Sequence, residues 1–73
     1  MPALPFLGEG KTVRVFEKPG WEVARQRGSH IIMVKEGEMV TLSIPDHKEI
    51  AKGTLRSLIR TAGITVDEFA RQV

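Results

Sequence analysis

Apolar and polar positions follow two rhythms along this chain. From Lys11 to Lys18, Val13 and Phe16 recur at i, i+3, which predicts a short helix. Lys18-Pro19-Gly20-Trp21 ends it, because proline fixes φ at one turn position and glycine accepts the positive φ of the next. The period then shortens to two. Strands are predicted over Glu22 to Arg27, Ser29 to Lys35 and Glu38 to Ile44, with Gly28 breaking the first pair and Glu36-Gly37 turning the second. In the middle strand, His30, Ile32 and Val34 share one face while Ile31, Met33 and Lys35 share the other. Apolar residues on both faces predict a central strand with at least one face covered by helices. In the third strand Val40, Leu42 and Ile44 point one way.

After Pro45-Asp46 the helical period returns. Leu55, Leu58, Ile59 and Ala62 make an i, i+3, i+4, i+7 stripe. Glycine is a poor helix-interior residue, so this helix is predicted to start near Gly53-Thr54 and to end at Gly63 as a left-handed cap. Thr65-Val66-Asp67-Glu68 reads as a capping box, with Ile64 and Phe69 at the flanking apolar positions, so a short last helix runs from Val66 nearly to the end. Residues 1 to 9 read as an irregular N-terminal arm. Helix, three antiparallel strands, helix and short helix predict an α+β fold, a two-layer sandwich on a three-stranded antiparallel sheet.

Composition narrows the possibilities. Seventy-three residues make one domain, spanning 1–73, without internal repeat or linker. A chain of this size buries only about 60% of the surface its unfolded form exposes. There is no cysteine, which excludes disulfide staples, thiolate zinc sites and a cysteine nucleophile, and fits a reducing cytoplasm. No run approaches the roughly 18 apolar residues of a membrane helix. The apolar start, Met1 to Leu7, is short, broken by prolines and lacks a basic flank, so it does not read as a signal peptide. A net charge of +2 is too mild to imply nucleic-acid binding by itself, so the placement of the charges matters more.

Gly8-Glu9-Gly10-Lys11-Thr12 resembles the end of a phosphate-binding loop, but Pro5 stands where its first glycine belongs, and no buried strand can precede it. A loosened helix start is the better reading. The chain has two histidines, His30 and His47. A histidine within a buried strand is more often structural than catalytic, but the setting of His30 favours chemistry: Arg25, Arg27 and Lys35 lie nearby in sequence, and Gly28-Ser29 precede it directly. His47, after a proline turn, reads first as a helix-entry residue and second as an auxiliary acid or base. No acidic residue stands at metal-ligand spacing to either ring, so no metal site is predicted. Lys48, Lys52, Arg56 and Arg60 recur every fourth position, one face of a continuous helix. A solvated surface is the usual meaning of such a stripe. This one carries a single sign, and a cation at Lys52 opposes the dipole near the helix start, which favours a face turned to RNA or DNA phosphates.

Those residues, in this order, carry a family resemblance. Gly10-Lys11, Gly20-Trp21-Glu22-Val23, Arg25-Gln26-Arg27-Gly28-Ser29-His30, Ile44 to Ile50, Lys52 to Ile59 and Ala62-Gly63-Ile64-Thr65 together resemble the HicA (YcfA-like) mRNA interferase toxins of type II toxin–antitoxin systems, from about Gly8 to Phe69. Pro19 departs from the pattern, where alanine is common, and so does the proline-bearing arm. The resemblance implies a fold similar to the double-stranded-RNA-binding domain, ribosome-independent mRNA cleavage, a HicB-like antitoxin partner, and no metal or nucleotide cofactor. It carries no signal of oligomeric state. It maps the catalytic histidine of a glycine-serine-histidine element onto His30.

The chemistry suits the composition. RNA carries its own nucleophile, the 2′-hydroxyl, so the protein must supply a base, an acid and positive charge. His30 is the expected base; Arg25, Arg27 or Lys35 stabilise the phosphorane; and Ser29, Lys52 and Arg56 are further RNA contacts. The acid is left open, with His47 the other candidate. Two rival readings stand beside this one: a non-catalytic RNA-binding module of the same fold, and a protein-interaction domain whose arm and basic face meet an acidic partner.

Overall fold

In a computed structural model describing residues 4–73, the first helix, α1 (Glu9–Glu17), begins two residues before its apolar spacing predicts. Gly8 is the N-cap residue, and Thr12, fully buried, donates its Oγ1 hydroxyl to the Gly8 carbonyl at 2.8 Å. The buried stripe is Thr12, Val15 and Phe16, with Val13 half-buried beside it. After α1, Gly20 has the predicted positive φ, 112°, but the turn closes back onto the helix end, with the Gly20 N–H on the Glu17 carbonyl and the Trp21 N–H on the Phe16 carbonyl, instead of spanning Lys18 to Trp21.

Three antiparallel strands follow, β1 (Glu22–Arg27), β2 (His30–Val34) and β3 (Leu42–Pro45), in spatial order β1-β2-β3. The sheet therefore puts β2 in the centre, as its two apolar faces predict. The third strand is shorter than the alternation suggests. Pairing of Met33 with Leu42 leaves residues 38–41 outside the sheet, with Val40 exposed. The reason lies in the turn. A two-residue hairpin needs a positive φ at its first central position, and only Gly37, the second residue of Glu36-Gly37, has one. The connection widens instead, closed by the Glu38 N–H on the Lys35 carbonyl at 3.0 Å.

The second helix, α2 (Lys52–Ala62), buries Leu55, Leu58, Ile59 and Ala62 and ends at Gly63, φ 77°, whose N–H caps the Arg60 and Ile59 carbonyls. The last helix, α3 (Val66–Arg71), has the full capping box: the Glu68 N–H donates to Thr65 Oγ1 at 3.0 Å, and the Thr65 N–H to Glu68 Oε1 at 3.2 Å.

Helices α1 and α2 pack on one face of the sheet, and α3 on α2. Their core encloses Phe16, Trp21, Met33, Leu42, Ile44, Leu55, Ile59 and Phe69, with the Phe16 and Phe69 rings 5.2 Å apart and tilted by 50°. The arm joins this core. Leu4 and Leu7 are buried in it, although the sequence gives them only an irregular segment; the first three residues of that expected arm lie outside the described residues. Among the described residues no helix is long and apolar enough to cross a membrane.

Candidate functional site

Strand register decides which side chains meet. On β2, Ile31 and Met33 face the helices, opposite Ile44 and Leu42 of β3. Alternation turns His30, Ile32 and Val34 to the other face, which no described element covers. Two cross-strand rows follow: Arg27–His30–Pro45 at one end of the sheet, and Arg25–Ile32–Ser43 behind it. Directly opposed residues have Cβ atoms about 5 Å apart and diagonal ones about 7–8 Å, so Arg27 stands beside the imidazole and Arg25 lies diagonal to it.

His30 is exposed, not buried as a strand-centre reading suggests, because it is the first residue of β2 on the bare face. Ser29 Oγ lies 3.5 Å from its Nδ1, a long contact that restrains the ring only lightly. Among the described residues the ion pair formed is Arg71 with Asp67, on α3, so Arg25 and Arg27 meet no carboxylate and present their charge to solvent.

The loop between β3 and α2 adjoins this end of the sheet. The Asp46 N–H donates to the Ser29 carbonyl at 2.8 Å. Gln26 Nε2 donates to Asp46 Oδ2 at 3.0 Å and to the Gly28 carbonyl at 3.3 Å, so one amide staples the β1–β2 turn to that loop. His47 follows, exposed, with its N–H on the Pro45 carbonyl and its own carbonyl accepting the Glu9 N–H at 3.1 Å. Gly8 lies so close that a Cβ there would stand 2.6 Å from the Lys48 carbonyl oxygen. The Ile50 N–H donates to the Leu7 carbonyl at 2.7 Å, closing the clamp of the arm on the loop.

The expected site residues fall into three groups. Arg25, Arg27, Ser29 and His30 form one surface. His47 and Lys48 sit in the adjoining loop, with Lys52 at the start of α2. Lys48 precedes the helix instead of continuing its basic stripe, so that stripe is Lys52, Arg56 and Arg60, and Arg56 and Arg60 run along the helical layer behind the sheet. Lys35 does not belong. It lies just past the opposite end of β2, roughly 17 Å along the strand from His30 at ~3.4 Å per residue, and its Cε packs by the Gly20 turn. Among the described residues no three His, Asp or Glu side chains are grouped to hold a metal ion.

Sequence reasoning missed Gln26, Asp46 and the arm. Gln26 and Asp46 are separated by 20 positions and have no local signature. The arm had one, since Leu4 and Leu7 stand at i, i+3, the spacing used elsewhere to find the core.

A family model described as HicA toxin of bacterial toxin–antitoxin matches residues 11–64, from the first turn of α1 to the eve of α3. The chain belongs to the HicA toxin family. Among solved structures, this HicA-family toxin is similar to a chain described as "Toxin-Antitoxin complex from Streptococcus pneumoniae", at 34% identity and a TM-score of 0.72, over 80% of this chain and 98% of that one. No curated protein matches it. The matched segment holds every residue of the sheet surface and the β3–α2 loop, whereas Leu4, Phe6, Leu7 and Gly8 precede it.

Proposed function

We propose that this HicA-family toxin is an mRNA-cleaving endoribonuclease whose general base is His30. The observation that carries this reading is an exposed imidazole on a bare sheet face, opposite Arg27 and next to the Arg25 row, with no carboxylate among the described residues paired to either arginine. Histidine changes charge near neutral pH, which suits it to taking a proton in one step and yielding it in the next. His30 removes the 2′-hydroxyl proton. The 2′-oxygen then bonds to the neighbouring phosphorus as the bond from phosphorus to the 5′-oxygen breaks. The products are a 2′,3′-cyclic phosphate and a 5′-hydroxyl, the latter formed when the leaving oxygen takes up a proton. His47, in the loop stapled to the β1–β2 turn, is the candidate donor of that proton. Arg25 and Arg27 offset the charge that grows on the phosphorane. Lys52 and Arg56 hold the strand through its phosphates.

The nucleophile belongs to the substrate, so the reaction as written needs no metal or nucleotide. Its test is a short RNA with a single 2′-deoxynucleotide at the cleaved position. The wild-type protein should cut the all-ribose strand, in chelator as well as without it, and leave the substituted strand whole. Cutting of the substituted strand would refute 2′-hydroxyl activation. Binding without cutting of either strand would favour the non-catalytic module.

The toxin's partner is proposed to be a HicB-like antitoxin, by analogy with the toxin–antitoxin complex that contains the similar Streptococcus chain. The cheapest inhibition covers the bare face, burying His30 and setting carboxylates against Arg25 and Arg27. Its substrate, mRNA, assigns the toxin's work to the cytoplasm.

A further inference from the structure

The molecule has four aromatic side chains, and three of them, Phe16, Trp21 and Phe69, are buried in the core. Phe6 is 65% exposed, although its neighbours Leu4 and Leu7 are both buried. The arm is therefore pinned on either side of a ring that it holds out to solvent. The pinning is backbone-deep: the Leu7 carbonyl accepts the Ile50 N–H, the Glu9 N–H binds the His47 carbonyl, and Gly8 packs against Lys48. On one side of the ring stands the ammonium of Lys52, 4.3 Å from the centroid. An aromatic face beside a cation, on an arm bonded to the loop that carries exposed His47 and Lys48, is a combination suited to an unpaired base and its phosphate. A protein hot spot would instead sit among apolar neighbours, and the other exposed apolar side chains of the sheet region, Val23, Val34, Met39 and Val40, lie toward its opposite end.

We infer that Phe6 is a stacking platform for one unpaired nucleobase of the RNA strand, with Lys52 holding the adjoining phosphate. This inference rests on the endoribonuclease reading and adds to it a contact outside the segment shared with the family. The base lies on the ring face that Lys52 leaves open. Stacking of this kind tolerates any base, so Phe6 contributes affinity and fixes the strand's path past the β3–α2 loop without reading sequence.

The test uses the full chain and a fluorescein-labelled, single-stranded 2′-O-methyl RNA dodecamer, which cannot be cut by 2′-hydroxyl attack. Phe6→Ala and Phe6→Leu should each bind it roughly five-fold or more weakly than wild type, with unchanged melting temperatures. Leucine keeps the apolar bulk and removes the π face. A set of dodecamers, each with one abasic position, gives the sharper readout. Wild type should lose affinity at one register, and Phe6→Leu should be indifferent to that same abasic position. With cleavable RNA, both variants should raise KM and leave kcat at the wild-type value. Equal affinity and an identical abasic profile for wild type and Phe6→Leu would overturn the platform while leaving the nuclease reading intact. Loss of antitoxin binding alone in those variants would overturn it in favour of a protein contact. A wild-type protein that neither binds nor cuts RNA would end both readings.

Discussion

Gly8 and Gly10 look interchangeable in the sequence, yet they face opposite constraints. A side chain on Gly8 would press into the Lys48 carbonyl, whereas Gly10, inside α1, has nothing within 4 Å of where a Cβ would stand. Gly8→Ala should therefore destabilise the protein by about 1–3 kcal/mol, the usual cost of forcing atoms into a packed contact. Gly10→Ala should stabilise it by ~0.5–1 kcal/mol, because alanine gives up less freedom in a helix. Urea melts of the two variants check both signs, and two changes of the same sign would contradict this account of the arm. At His30 stability and activity part company. Its ring is exposed and only lightly restrained, so His30→Ala should leave the urea midpoint within about 1 kcal/mol of wild type. RNA cleavage by that variant should nevertheless fall at least ~100-fold, the contribution expected of a general base. Wild-type cleavage by a folded alanine variant would remove His30 from the mechanism.

Two elements carry the proposed cationic surface, and they should separate in kinetics. In the proposed reaction Lys52 and Arg56 on α2 serve the strand's phosphates, so replacing both with glutamine should raise KM and flatten the salt dependence of binding by roughly 0.7 per lost contact. On β1, Arg27 stands opposite His30 and Arg25 diagonal to it, so their glutamine variants should lower kcat more than they raise KM. Identical effects from both pairs would mean that the two layers form one undifferentiated patch. How much of this was legible in the sequence follows from the range of each signal. β1 has the bounds predicted for it, although its register shifts between Val23 and Arg25, and the Thr65 capping box and Gly63 cap stand where their residue types put them, because each depends on neighbours within a turn. Arg27, Ser29 and His30 could be grouped because a tight hairpin joins them. What failed was long-range. The start of β3 depends on which residues pair across a widened turn, and Lys35 shares a strand with His30 but not an end of it. The Gln26–Asp46 staple and the burial of Leu4 and Leu7 depend on how distant segments meet.

At the scale of the whole molecule, the arm is part of the fold even though the family match begins beyond it. Removing residues 1–8 would uncover the core where Leu4 and Leu7 now fill it. Each buried leucine contributes about 1.5–3 kcal/mol, a large share of the ~5–15 kcal/mol that holds a domain together. The 9–73 fragment should thus melt at least roughly 12 °C below the full chain in a thermal scan. Equal melting temperatures would mean that the arm only rests on the surface. Competition between antitoxin and a non-cleavable RNA for the His30→Ala protein probes the outer face in the same spirit. The two should exclude one another, and simultaneous binding without mutual loss of affinity would rule out direct occlusion. The bare face also has a consequence in time. With His30 on a sheet surface that no described element covers, no lid among the described residues has to swing before substrate arrives. The lag between a cell's alarm and the first broken message would then be the residence time of the cover itself, a clock set by another chain's dissociation or destruction.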